Sequence, residues 1–389
     1  MFALGKLAYD LSGRELDLGL LGLAEFAPAA FLVLLTGAVA DRFERRWVAA
    51  LGSLGEAAAA LAMTAYALTR PTAVGPLFAL ALLLGSARAF VVPASRAMPA
   101  DLVRAERLPW LVARWTIVFQ LALVAGPVLA GVLYATDPRL PFAAATALFV
   151  AAAGGYALLP PPLTPVTPVT PVGAGGASSA GRPGPGSRWQ EALEGLRVVR
   201  RQPILLGAIS LDLFAVLFGG AVALLPAIAE ERLGVGAVAL GWLRAAPGIG
   251  AATVMLVMAV RPVRRRVGPT LLGAVAVFGL ATIVLGATRH FAVAFVALLV
   301  LAGADALSVF IRVTLVPLAS PPAARGRVMA VENVFIGASN ELGAFESGVA
   351  GQLLGPGPAV VLGGVLTVGV AGLWRRLFPA LRRIDRFPA

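Results

Sequence analysis

The chain has 389 residues, of which 59% are hydrophobic and only 13% charged, with a mean hydropathy of +0.87. A soluble domain carries about 25% charged residues, so this composition excludes a soluble enzyme and indicates a polytopic membrane protein. The net charge of +12 falls in short runs between apolar stretches, as loops at a membrane surface require, which argues against a nucleic-acid partner.

A membrane-spanning helix needs about 20 mainly apolar residues. Residues 1–9 are apolar but too short to span, and read as the tail of a helix whose beginning is missing. Spans are expected at 18–40, 47–69, 73–99, 108–134 and 139–159. After residues 160–187, further spans are expected at 203–230, 237–260, 268–288, 290–318, 327–354 and 357–378. That is eleven spans, and the natural count is six plus six with the first truncated. Residues 160–187 hold a Thr-Pro-Val repeat and a Gly/Ser run that cannot pack a core. They are expected to link an N-terminal bundle, 1–159, to a C-terminal bundle, 188–389. From Trp189 to Arg201, apolar and charged positions alternate at helical spacing, which suits a short interfacial helix or a solvated linker end.

Arginine clusters at 41–46, 96–107, 182–201, 261–266, 325–327 and 375–386 recur on alternate loops, while the opposite loops are poor in cations. That asymmetry predicts a cytoplasmic linker and C-terminus. Cysteine is absent, so disulfide and thiolate chemistry are excluded. The one histidine, His290, falls in a loop, and neither a metal site nor a cofactor is expected. A Walker-type glycine loop is also absent, so ATP is not expected to drive the protein directly.

The tight hairpin Gly37-Ala38-Val39-Ala40-Asp41-Arg42-Phe43-Glu44-Arg45-Arg46 joins two spans. Arg42, Arg45 and Arg46 suit a cationic topology anchor, but an anchor does not account for Gly37 and Asp41. In the fifth span, counting the truncated first helix, Gly126, Pro127 and Gly131 fit a kink with close helix packing. Ionisable residues inside spans are costly and usually functional. Asp305 and Arg312 lie seven residues apart, on one helix face. Asp212, Arg88 and Arg114 also fall inside spans, as do Glu25, Glu56, Arg244, Glu332, Glu341 and Glu346. A static buried ion pair and a proton-carrying site are both open readings of such residues.

The Gly37–Arg46 stretch resembles the loop between the second and third helices of the major facilitator superfamily. Gly85–Phe90 with Pro93 and Arg96, Gly126–Gly131, Leu240–Gly248 and Gly326–Met329 resemble its drug- and siderophore-exporter branch, which holds the enterobactin exporter and the transmembrane secretion effectors. The resemblance implies an all-α fold of two six-helix bundles. It implies a gating latch at Gly37, Asp41, Arg42, Arg45 and Arg46, and an exporter Gly-Pro element at Gly126, Pro127 and Gly131. It places Arg88, Asp212, Asp305 and Arg312 on cavity-lining helices, with Arg114 among the cavity or ion-pair cations. Asp305 and Asp212 are then the candidates for proton coupling.

The expected function is secondary active export, by proton antiport, of amphipathic drugs or siderophore-like metabolites. Its expected partners are a small-molecule substrate, protons and the lipid bilayer, with the protein a monomer of the plasma membrane. The alternatives are an importer of a small polar solute on the same fold, or a membrane assembly or sensor protein that transports nothing.

Overall fold

The computed structural model describes residues 2–161 and 194–387, apart from the side chains of 33, 34, 37, 38, 40, 41, 105 and 323. The expected linker, 160–187, lies almost wholly outside the described residues. Of the expected interfacial helix, 194–201 is described and is helical.

No strand occurs among the described residues. The first part of the chain forms α1 (Phe2–Ser12), α2 (Glu15–Arg42), α3 (Arg45–Leu68), α4 (Gly75–Ala97), α5 (Leu108–Thr136) and α6 (Leu140–Ala157). The second part forms α7 (Pro203–Phe218), α8 (Ala237–Val260), α9 (Val267–Ala287), α10 (Phe291–Ala319), α11 (Arg325–Leu354) and α12 (Pro356–Leu377). Helices suit lipid because they satisfy their backbone groups internally. Proline marks the first turn of α4, α5, α6, α7 and α12, where a missing N–H costs nothing. Gly355, at φ +84, turns α11 directly into α12.

Among the described residues, nine helical stretches are long and apolar enough to cross a membrane. The stretches read as spans at 18–40 and 327–354 become α2 and α11, which are 28 and 30 residues long. The latter carries Arg325, Arg327, Glu332, Glu341 and Glu346 along its length. Large apolar side chains stand exposed along α5, among them Ile117, Val118, Phe119 and Leu121. Such a face matches hydrocarbon, not water.

The span expected at 203–230 matches the apolar stretch Pro203–Arg232, but its helix changes form along the way, and α7 stops at Phe218. A 3₁₀ turn, Ala221–Leu224, and a π turn, Ile228–Arg232, carry the chain onward. The break falls at Gly219-Gly220. A Cβ on Gly219 would strike the Phe278 ring, and one on Gly220 would strike the Gly343 carbonyl and, at 2.7 Å, Ser347 Oγ. Irregular backbone is tolerated at membrane depth where protein buries it, and Ala221, Leu224 and Leu225 are all buried.

The chain divides into two compact units. One comprises Met1–Gly176 with Gly236–Gly241, and the other Ala177–Val235 with Trp242–Ala389. In the first unit α4 packs on α2 and α3, and α3 on α6. Gly85 presses against the Glu25 carbonyl, and a Cβ on Gly55 would lie 3.0 Å from that of Ala87, so small residues let these helices touch. In the second unit α9 packs on α10 and α12, and α7 on α11 and α12. Leu205, Leu211, Leu271, Ile311, Leu315 and Val328 form its fully buried core.

Candidate functional site

Each unit holds arginine among carboxylates within its helices. In the first unit Arg88, on α4, donates from Nη1 to Glu25 Oε1 on α2 at 2.5 Å and from Nε to Glu56 Oε1 on α3 at 3.2 Å. The two carboxylate side chains are 11% and 6% exposed, against 38% for the arginine. One guanidinium thus ties three helices. Glu25 Oε2 is buried without a hydrogen-bond partner.

In the second unit Arg312 Nη2, on α10, lies 2.6 Å from Asp212 Oδ1 on α7, and the two side chains are only 3% and 7% exposed. Asp305, two turns earlier on α10, is half-buried and within electrostatic reach of both. Glu332, on α11, is buried and within reach of the same two groups. Its Oε1 and the Nε of Arg312 have no hydrogen-bond partner. Asp305 makes neither an ion pair nor a hydrogen bond among the described residues. Three carboxylates therefore face one guanidinium, and only one of them is in contact with it. The shared face of Asp305 and Arg312 was legible in the sequence, but the carboxylate that contacts Arg312 is Asp212. The sequence marks Glu332 only as an ionisable residue inside a span, because helical periodicity within α11 cannot show which neighbours it faces.

The hairpin between α2 and α3 is described in part. Gly37 and Asp41 belong to α2 by their backbone, and their side chains lie outside the described residues. Arg42 closes α2 and is exposed. Arg45 Nη1 donates to both Asp101 oxygens, at 2.8 and 2.7 Å. Arg46 donates to Glu44 Oε2 at 2.7 Å and to the Leu159 carbonyl at 2.8 Å. Asp101 sits on a short helix, Pro99–Leu102, that follows α4. The hairpin arginines therefore hold the start of α3 to the segments that follow α4 and α6. The arginine-rich stretch Arg261–Gly268 has no acid of its own. Asp385 near the C-terminus supplies one: its Oδ1 accepts from the Arg266 backbone N–H at 3.1 Å.

Pro127 lies inside α5, which continues through it to Thr136. Gly126 faces open space, whereas a Cβ on Gly131 would lie 2.6 Å from the carbonyl of Ala237 and 3.1 Å from Gly241 Cα, both grouped with the first unit. Of the Gly-Pro element, Gly131 is thus the residue in close packing. Arg114 is exposed and stacks over the Trp110 ring at 4.2 Å, with no ion pair among the described residues. A cation stacked on an aromatic face at a helix start suits the interface between headgroups and acyl chains. The structure does not place Arg114 in either charge cluster.

A family profile described as Major Facilitator Superfamily matches residues 1–344. No curated protein matches the chain. Among solved structures, the nucleoside transporter NupG superposes with a TM-score of 0.72 at 14% identity, over 97% of this chain and 94% of its own. A bacterial homologue of the human lysosomal transporter Spinster, inward-facing and occupied, gives 0.66 at 15% identity, over 98% and 96%. A POT family transporter in complex with 5-aminolevulinic acid gives 0.67 at 10% identity, over 98% and 96%. At these identities the likeness concerns the fold alone.

Proposed function

Because the chain belongs to the major facilitator superfamily, and so is a multi-pass membrane transporter rather than an enzyme, we propose that it is a proton-coupled exporter working by alternating access. One observation carries the coupling: Arg312 is engaged by Asp212 while Asp305 and Glu332 share its field with no cation of their own. Excess negative charge inside a span is costly, and a proton removes it. Asp305, half-buried and free of an ion pair, is the group that takes the proton.

Proton binding at Asp305 lowers the demand on the guanidinium, and proton loss restores it. A movement of α7 against α10 changes the Asp212–Arg312 distance and therefore the affinity of Asp305 for its proton. That gives two states with different proton affinities, which is what coupling requires. Asp212 holds the arginine in place in this scheme, and Arg88 with its two glutamates fixes the helices of the first unit. Asp41 with Arg42, Arg45 and Arg46 acts as a latch on the cytoplasmic side, where the arginine-rich loops lie. The outward direction of transport rests on the resemblance of Gly126, Pro127 and Gly131 to the exporter element. The substrates that this resemblance implies are amphipathic drugs or siderophore-like metabolites, carried by a monomer.

The test is transport in proteoliposomes with an imposed pH gradient, using a panel of amphipathic dyes. Asp305→Asn should abolish gradient-driven efflux while dye binding in detergent persists. Unchanged pH dependence in that variant would overturn the coupling role. Accumulation, rather than efflux, of substrate by wild-type vesicles would overturn the direction.

A further inference from the structure

On the outer surface of the second unit, α9 and α12 run tightly together over part of their length and part at one end. A Cβ on Gly279 would lie 2.9 Å from the Gly364 carbonyl, and one on Gly286 2.8 Å from that of Gly357. Towards the start of α9 and the end of α12 the contact opens. Gly273 on α9 and Gly372 on α12 both face open space. A groove of about 510 Å³ lies there, within the roughly 300–1,000 Å³ of small-ligand clefts. Pro269, Leu272 and Ala276 line one wall and Val368 and Ala371 the other, and Arg375 and Arg382 stand at the open end.

The tail of the chain builds that end. The short helix Pro379–Arg382 follows α12, and Leu381 is fully buried with its carbonyl against Gly268. The backbone N–H groups of Gly268 and Val267 donate to the carbonyls of Ile384 (2.9 Å) and Asp385 (3.3 Å). The tail is thereby pinned across the start of α9, and Arg382 is set opposite Arg375. Both guanidiniums are exposed and have no partner among the described residues. Arg264, Arg265, Arg266, Arg376 and Arg383 stand exposed at the same end. The acid of this end, Asp385, is already taken by the Arg266 N–H and by Arg386 at 3.9 Å.

We propose that this groove is a binding site for one anionic phospholipid, its phosphate held by Arg375 and Arg382 and an acyl chain laid along Gly273, Ala276, Val368 and Gly372. The chemistry is matched at both ends. Guanidiniums grip phosphate through a planar fork, and paired cations at membrane-surface depth select lipids of net negative charge. The glycines leave the width that an acyl chain occupies. The lipid then bridges α9, α12 and the tail that closes over them.

Native mass spectrometry of the full chain, titrated with dioleoyl phosphatidylglycerol or dioleoyl phosphatidylcholine, tests this. One phosphatidylglycerol should be retained about tenfold better than phosphatidylcholine. The double variant Arg375→Gln/Arg382→Gln should lose that preference. Gly372→Leu should weaken retention with both arginines present, because its side chain fills the groove. Equal retention of the two lipids by the wild type would overturn the proposal, as would an undiminished preference in the double variant. Complete displacement of the lipid by glycerol 3-phosphate would assign the site to a free phosphate and overturn it too.

Discussion

Arg312 and Arg45 are both paired, but burial separates what their pairs do. Arg312 and Asp212 are 3% and 7% exposed. Removing one partner of such a pair leaves an uncompensated buried charge and costs about 3–5 kcal/mol. Arg312→Leu should therefore melt far below the wild type in detergent, and Arg312→Leu/Asp212→Leu should recover part of the loss. Equal melting temperatures for the single and double variants would mean that the pair does not act as a unit. Arg45 and Asp101 are 28% and 21% exposed, and pairs in contact with water contribute about 0–1 kcal/mol. Asp101→Asn should leave the melting temperature nearly unchanged, so any fall in its vesicle transport reports on the transport cycle rather than on folding. A large melting shift would sink that separation. The sequence named Arg45, but Asp101 lies 56 residues away, and spacing along one helix cannot reveal a partner at that distance.

At the scale of helices the sequence was legible because the bilayer sets the length. Spans expected at 47–69, 237–260 and 357–378 became Arg45–Leu68, Ala237–Val260 and Pro356–Leu377. The break after Phe218 was not legible, because apolar residues continue on both sides of Gly219-Gly220 and hydropathy does not register a change of backbone. Other helices press on both glycines there, through Phe278 on α9 and Gly343 and Ser347 on α11. Gly220→Ala should therefore destabilise by about 1–3 kcal/mol, the usual cost of overpacking. Gly369→Ala is the control: Gly369 sits inside α12 facing open space, and alanine there should be neutral or gain up to about 1 kcal/mol of helix propensity. Equal melting shifts in the two variants would mean that close packing does not hold the break.

At the scale of the whole molecule, the fourth helix of each set of six carries the clustered arginine, Arg88 on α4 and Arg312 on α10. Each cluster cross-links helices of its own unit, α2, α3 and α4 in one and α7 and α10 in the other. Each of these ion pairs ties helices within one unit, so the connection between the units needs only to be slack. The sequence flagged every one of these charged residues, because charge inside an apolar span stands out, but it left Glu25 and Glu56 without partners. The sequence of the connection, Thr164-Pro165-Val166-Thr167-Pro168-Val169 and the Gly/Ser run after it, suits an extended tether. A protease site inserted within Thr164–Ala180 and cut after purification should therefore leave two fragments that elute together and melt like the uncut chain. Transport after reconstitution should also persist, since each fragment keeps its own charge cluster. Separation of the fragments, or a melting temperature well below that of the uncut protein, would show that the segment packs against the helices and would overturn the picture of two self-contained bundles.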